Sequence, residues 1–193
     1  MRLNSYGSGV RTAVDVDDIM RLEGPALSPE QRREAAATLL GWAEERNPDD
    51  GATQAELVAA AAWQLDQAGD VDAALELHRR AVTAEGRTTP DARCTLAAAL
   101  FDAGRPEEAR AVAEDLRRAR PRVVDIAGMA QVFELVGDLQ QAHRWTAMGI
   151  SRLDLVGEAD PLEEADVELL LDVRRRVRAA LGMPADRFDN PDA

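Results

Sequence analysis

The sequence contains no lysine, so all 23 of its basic residues are arginine, against 36 aspartate and glutamate residues. The formal net charge is −13. Binding to phosphate groups requires clustered positive charge, so this balance argues against nucleic acid and against an anionic membrane as general partners. An acidic surface keeps a protein in solution, and it is also complementary to a basic partner.

Aromatic residues make up only 4% of the 193 residues, although hydrophobic residues reach 46%. The apolar content is therefore mostly alanine, leucine and valine, and small side chains let helices approach one another closely. This composition favours a helical bundle or a helical solenoid over an enzyme with a large pocket. The length suits one domain with short appendages.

Cysteine and long apolar runs are also scarce. Cys94 is the single cysteine, which excludes an intramolecular disulfide and a zinc site built from several cysteines. No apolar run reaches the length of a membrane-spanning helix, and the first residues lack the apolar region of a signal peptide. We therefore expect a cytoplasmic protein that needs neither a metal nor a cofactor.

A repeated pattern occupies residues 55–121. Gly69 and Gly104 are 35 residues apart, and a third, weaker copy has Gly137 at 33 residues beyond Gly104. Self-similarity with this period indicates helix–turn–helix repeats that stack as a solenoid. The other matching positions are Ala62, Leu65, Ala74 and Ala81 in the first copy, Ala97, Leu100, Ala109 and Leu116 in the second, and Ala130, Phe133, Ala142 and Gly149 in the third.

Helix start and stop signals predict the domain organisation. The run Ser28-Pro29-Glu30-Gln31 and the pair Thr53 and Glu56 are capping boxes, which start helices, and glycine or proline marks the helix ends. The predicted segments are a flexible N-terminal segment with a possible short helix at 1–27, an N-terminal helix and turn at 28–52, three hairpins at 53–156 (about 55–89, 90–122 and 123–156), a C-terminal capping helix at 157–182 and a mobile acidic tail at 183–193.

The repeat resembles the tetratricopeptide repeat. In that family a small residue lies midway along the first helix, a glycine or similar residue at the turn, and small residues early and late in the second helix. The first copy has all of these, whereas Leu116 replaces the late alanine of the second copy and the early aromatic residue of the family is absent. The resemblance implies an all-α fold, a right-handed α-solenoid of helical hairpins with an N-terminal helix and a long C-terminal capping helix.

A weaker resemblance concerns the C-terminal helix. The runs Arg175-Arg176-Val177-Arg178, Leu181-Gly182 and Asp186-Arg187-Phe188-Asp189 are similar to the closing helix of a group of bacterial tetratricopeptide proteins. Some of that group are labelled with the SEC-C zinc motif, whose cysteines are missing here, so no zinc function is carried over. The exclusive use of arginine and the abundance of alanine also suggest a bacterial source.

The family resemblance implies a non-enzymatic protein–protein interaction module. Family members usually bind peptides along the first helices of successive repeats, on the concave face. The version that grips a C-terminal carboxylate uses Lys, Arg and Asn there, and none of these occurs here, so we expect an acidic, partly apolar groove that accepts a basic or amphipathic peptide or helix. The groove positions carried over by spacing are Trp63, Asp66 and Gln67, then Cys94, Ala98, Phe101 and Asp102, then Ala127, Gln131, Glu134 and Leu135.

Three alternatives stay open at this point. The groove could be filled by the chain's own N-terminal helix or by a second subunit. The protein could be a homodimeric structural scaffold that pairs through its terminal helix. It could also be an enzyme with an unrecognised site, although His78 and His143 belong to different repeats and Cys94 fits a small core position.

Overall fold

The computed structural model describes residues 11–24, 26–155 and 164–188, and over these residues the protein is α-helical without a β-strand. The chain divides into two compact units, Met1–Thr88 and Thr89–Ala193. Within each unit, consecutive helices pack against one another, as the predicted all-α class of helical solenoids requires. The helices are α1 (Val16–Leu22), α2 (Pro29–Glu44), α3 (Gln54–Ala68) and α4 (Val71–Thr83) in the first unit, and α5 (Ala92–Asp102), α6 (Pro106–Arg118), α7 (Val123–Leu135), α8 (Leu139–Leu155) and α9 (Glu164–Ala180) in the second.

In the first unit, α3 packs between α2 and α4. The start of α3 is set by the predicted capping box, because the Thr53 hydroxyl accepts from the Glu56 N–H (3.2 Å) and the Glu56 carboxylate accepts from the Thr53 N–H (2.7 Å). Asp70 occupies the N-cap position of α4, but its side chain makes no capping hydrogen bond. Its carboxylate accepts two hydrogen bonds from Arg33 of α2 instead, at 2.6 and 3.0 Å.

The N-terminal segment is held against this unit from Arg11 onwards. The Arg11 guanidinium binds both carboxylate oxygens of Asp50, at 2.8 and 2.6 Å. The backbone N–H groups of Val14 and Asn47 donate to the same carboxylate, each at 3.0 Å. Asp50 therefore joins the N-terminal segment to the turn between α2 and α3.

In the second unit, α5 pairs with α6 and α7 pairs with α8, while α9 packs against both α7 and α8. The first of these helices begins at Ala92 and not at Pro90, the start that the sequence indicated. The reason is that Asp91 is the N-cap: its carboxylate accepts from the Arg93 N–H at 3.0 Å, and its own N–H donates to Asp125 at 2.8 Å. The expected start of the C-terminal capping helix, at residue 157, lies outside the described residues.

The repeated glycines form the same turn in each hairpin. Gly69, Gly104 and Gly137 have φ angles of 82°, 71° and 79°, a left-handed conformation that favours glycine. In each copy, the residue after the glycine donates its N–H to a carbonyl five residues earlier, over distances of 3.0, 2.8 and 2.9 Å. These hydrogen bonds satisfy the last carbonyls of the first helix and turn the chain into the second.

The repeated small residues are buried in each helical hairpin. They are at most 2% exposed in all three copies. Gly149 on α8 shows how tight the packing is, because a Cβ atom there would lie 2.6 Å from Leu170 of α9 and 3.2 Å from Ile126 of α7. The buried small residues are Ala62, Ala74, Ala81, Ala97, Ala109, Ala130 and Ala142.

The apolar side of α9 is buried within its own unit. Leu170, Val173 and Val177 are 0% exposed, since α9 packs on α7 and α8. Beyond the helix, Asp186 pairs with Arg178 at 3.2 Å, and the Arg174 guanidinium lies 5.4 Å from the Phe188 ring centre. Nowhere in the described ranges is a helix long and apolar enough to cross a membrane.

Substituting Gly149 by alanine tests the close approach of α8 to α9. We expect Gly149→Ala to lower the free energy of unfolding by about 1–2 kcal/mol, because the methyl group overlaps the fully buried Leu170. The matched control is Gly41→Ala on α2, where a Cβ meets no atom within 4 Å. That change should raise the free energy of unfolding by about 0.5–1 kcal/mol through helix propensity. Urea denaturation measures both, and an equal effect at the two sites would contradict the packing described here.

The carboxylate of Asp50 provides a pH test. Burial alone would raise the pKa of Asp50, but the hydrogen bonds from Arg11, Val14 and Asn47 outweigh burial and lower the pKa to about 2. A pKa that is lower in the folded state stabilises the protein above the ordinary value of 3.8, and this contribution is lost as the pH falls towards about 2.

Asp50→Asn should therefore lower the free energy of unfolding by about 2 kcal/mol at neutral pH. The difference from the wild type should shrink as the pH falls through that window. Urea denaturation of both proteins over a pH series measures this difference. A difference that stays constant down to the lowest pH would show that the charge of Asp50 does not matter.

Candidate protein-interaction surfaces

The predicted groove residues belong to both units. Trp63, Asp66 and Gln67 lie on α3 of the first unit. The remaining five lie on α5 and α7 of the second unit, and they are Ala98, Phe101, Asp102, Gln131 and Glu134.

On α3, the indole of Trp63 is 37% exposed. The guanidinium of Arg32 from α2 lies over this ring, 5.3 Å from its centre, and Arg32 is itself buried and donates to Gln64 at 3.1 Å. A cation over an aromatic ring is a favourable contact, so part of the Trp63 ring is already engaged by the protein. Gln67, one turn further along the helix, is exposed.

The carboxylate of Asp66 has an internal partner. Its Oδ2 lies 2.6 Å from Nε2 of His78 on α4, and His78 is only 2% exposed. Within the described part of the chain, the second ring nitrogen of His78 has no hydrogen-bond partner. Asp66 is therefore the group that satisfies a buried histidine, and its carboxylate is not free to bind a ligand without leaving that ring unpaired.

On α5, Asp102 is exposed and forms no ion pair or hydrogen bond with any described side chain. Phe101 beside it is half-buried. Its ring meets Phe133 edge to face at 5.7 Å between ring centres, and Arg110 of α6 lies 6.0 Å from the ring centre. Ala98, one turn earlier, is also half-buried.

On α7, Glu134 is held by α9. Both of its carboxylate oxygens accept from the Arg176 guanidinium at 2.8 Å, a two-point ion pair. Gln131 is exposed, and Leu135 is 80% exposed, which is the largest value among the big hydrophobic residues described. The end of α7 therefore presents apolar surface beside a neutralised carboxylate.

Two positions that the family spacing placed in the groove are buried and do not line an accessible face. Cys94 is 3% exposed and Ala127 is 0% exposed. The Cys94 thiol lies 3.5 Å from the carbonyl oxygen of Asp125, and burial, with the nearby carboxylates, raises the pKa of this thiol. A thiol with a raised pKa is a poor nucleophile, which agrees with a core role for Cys94.

A cleft that was not predicted from the sequence lies between α6 and α8, the second helices of two successive hairpins. It has a volume of about 550 Å³. Each of the two helices forms one wall of the cleft, with lining residues three or four positions apart. Phe133 of α7 lies between the walls. The lining residues are Arg110, Ala113, Glu114 and Arg117 of α6, Gln141, Arg144, Trp145 and Met148 of α8, and Phe133. We call this site the α6–α8 cleft.

The α6–α8 cleft could not be found from the repeat alone. Its two walls have the same i, i+3, i+4, i+7 spacing, but so does every packed helix face. The feature that distinguishes it is that α6 and α8 do not pack closely on one another. No group of three or more metal-binding side chains is found within residues 11–24, 26–155 and 164–188.

Comparison with known families identifies the repeat. Residues 65–132 match the family model described as Tetratricopeptide repeat. The protein contains tetratricopeptide repeats. The resemblance to the tetratricopeptide repeat is thus confirmed, whereas the similarity to the SEC-C group and the bacterial source stay predictions. Neither a curated protein nor a solved structure matches the chain.

Tetratricopeptide repeats are generally protein-interaction modules and are typically non-enzymatic. The matched segment extends from the end of α3 to α7. It therefore includes the exposed Gln67 and Asp102, the pair formed by Asp66 and His78, and most of α7.

Substitutions at Asp66 and at the neighbouring Gln67 distinguish a structural side chain from an exposed one within the tetratricopeptide repeat. We expect Asp66→Ala to lower the free energy of unfolding by about 1–3 kcal/mol, because it leaves the buried His78 ring without its partner. The control Gln67→Ala, at the exposed neighbouring position, should change it by less than about 0.5 kcal/mol. Thermal and urea denaturation give both values. If the two variants were equally stable, Asp66 would not have the structural role described here.

Proposed function

We propose that this protein is a non-enzymatic protein–protein interaction module whose second unit binds a basic, amphipathic segment of a partner along α5 and α7. The observation that carries the proposal is the exposed pair Asp102 and Leu135, which occupy equivalent positions on the first helices of two successive repeats. The match to tetratricopeptide repeats supports a role in protein interaction.

The apolar part of the proposed surface consists of Leu135 on α7 and the half-buried ring of Phe101 on α5, which directly precedes Asp102. A leucine side chain that is 80% exposed gains free energy when a partner covers it, by about 1.5–3 kcal/mol if it becomes fully buried. The first helices of successive repeats are the elements on which family members usually bind peptides. A partner that lies across α5 and α7 therefore needs an apolar side chain at the end of α7.

The charged part of the proposed surface is smaller than the sequence indicated. Glu134 is neutralised by Arg176, so Asp102 is the carboxylate on this face that still lacks a cationic partner among the described residues. We therefore expect one arginine or lysine of the partner to pair with Asp102. The net charge of −13 adds a longer-range attraction for a basic segment, and this attraction weakens as salt is added.

Two of the earlier alternatives receive less support. The apolar stripe of α9 suggested pairing of two subunits, but this stripe is buried on α7 and α8 of the same unit, so it does not need a second copy. The chain's own N-terminal segment reaches α3, where Gln64 donates to the Leu22 carbonyl at 2.8 Å, yet Trp63 and Gln67 remain exposed beside this contact.

Binding of designed peptides tests this proposal. A synthetic helical peptide with leucine and arginine on adjoining faces should bind, whereas the same peptide with glutamate in place of arginine should not bind at α5 and α7. Asp102→Asn and Leu135→Ser should each weaken binding of the basic peptide about three- to tenfold, through loss of the ion pair and of the apolar contact. Fluorescence anisotropy at low and high salt measures the affinities.

Matched controls lie in the first unit. Glu34→Gln removes an exposed carboxylate on α2, and Met20→Ser removes a side chain that is 61% exposed on α1. Neither should change the affinity. Equal weakening by variants and controls, or tighter binding of the glutamate peptide to the same face, would disprove the proposed surface.

A further inference from the structure

The α6–α8 cleft has an apolar floor and open charged sides. Phe133, Ala113 and Trp145 at its base are 2%, 3% and 5% exposed, and Met148 is half-buried. The volume of about 550 Å³ is in the range of sites that bind a few side chains of a ligand. Shape and apolar floor alone do not identify the ligand, so the charges of the lining decide its chemistry.

The lining carries three arginines and one carboxylate, which is unusual in a protein whose acidic residues outnumber its arginines. The carboxylate, Glu114, is already shared: Arg117 binds both of its oxygens at 2.7 Å, and Arg118 lies 3.1 Å away. It therefore offers little attraction to a basic ligand. The one carboxylate of the lining is therefore already neutralised by arginines of the protein itself.

Of the three arginines in the lining, Arg117 is occupied by Glu114, whereas Arg110 and Arg144 are not held in this way. Arg110 reaches Glu107 and Asp138 only at 3.7 Å, and its side chain is 49% exposed. Arg144 on the opposite wall is exposed and has no ion pair or hydrogen bond within the described parts of the chain. Most other described arginines pair with an aspartate or glutamate at less than 3.5 Å. Arg144 is thus a cation available above an apolar floor.

From this arrangement we infer that the α6–α8 cleft is a second interaction site, which binds an internal acidic–apolar segment of a partner protein. An apolar side chain of the segment enters between Phe133, Trp145 and Met148, and an aspartate or glutamate beside it pairs with Arg144. Arginine is suited to this role because its planar guanidinium binds a carboxylate through two hydrogen bonds. This site goes beyond the proposed function, which concerns α5 and α7 and a basic partner.

The length of the cleft supports an internal segment over a chain end. Its lining runs from Arg110 to Arg117 on one wall and from Gln141 to Met148 on the other, two turns of helix on each side. Two turns extend over about 10 Å, so a segment can lie along the cleft and continue past it. The carboxylate that pairs with Arg144 is therefore assigned to a side chain of the partner.

The test uses the full chain and short synthetic peptides with a central phenylalanine or leucine flanked by aspartate or glutamate, with both chain ends blocked. We expect these peptides to bind, and we expect the asparagine and glutamine analogues to bind about tenfold more weakly. Arg144→Gln should weaken binding of the acidic peptide about tenfold, and Arg144→Glu should weaken it further. The indole N–H resonance of Trp145 should shift on binding, which locates the peptide at the cleft.

The matched control is Arg87→Glu, which makes the same charge change at an exposed arginine of the first unit and should leave the affinity unchanged. Asp102→Asn should also leave it unchanged, so this site and the proposed α5 and α7 surface can fail independently. The inference is overturned if the amide analogues bind equally well, if Arg144→Glu binds as the wild type does, or if binding requires a free C-terminal carboxylate. Circular dichroism melting of each variant confirms that the fold is retained.

Discussion

Close approach of helices at small residues is the constraint on which both units depend. Alanine at the repeated positions lets the two helices of a hairpin come near enough to exclude water, and leucine then fills the space on either side. Gly149 shows the close packing of three helices, because α7, α8 and α9 meet there with no room for a side chain. The low aromatic content follows from the same constraint, since large rings would hold such helices apart.

The charged surface is the second feature common to both units, because aspartate and glutamate outnumber arginine by 36 to 23. Arginines form ion pairs with carboxylates that lie three or four residues away and with carboxylates that lie far away in the sequence. Within the described residues, Asp50, Asp70 and Glu134 are each bound by an arginine far away in sequence, and these pairs join segments that the repeat alone does not connect. Among the described residues, Asp102 and Arg144 have no such partner and lie beside apolar surface, so they are informative about ligands.

The two proposed sites differ because one lies on the first helices of the repeats and the other lies between the second helices. The first helices α5 and α7 leave Asp102 and Leu135 exposed near their ends, whereas the second helices α6 and α8 stand apart and leave a cleft above Phe133. One face offers a carboxylate and the other a guanidinium, each next to apolar surface. Under these two proposals, a single repeat module would hold two segments of opposite charge, and a partner carrying both segments would bind more tightly than either segment alone.

The helical repeat and several helix ends could be predicted from the order of the residues, because both depend on local rules. Glycine is favoured where φ is positive, and capping boxes act over three residues, so the roles of Gly104 and Thr53 could be predicted directly. Family spacing also indicated which positions face outward, although Cys94 and Ala127 proved buried. In contrast, the folded structure was needed to show which charges lack a partner and where the cleft lies. Arg176 is 42 residues from Glu134, and the gap between α6 and α8 depends on how α7 packs beneath them. Such relations arise from three-dimensional packing, which no local pattern of residues encodes.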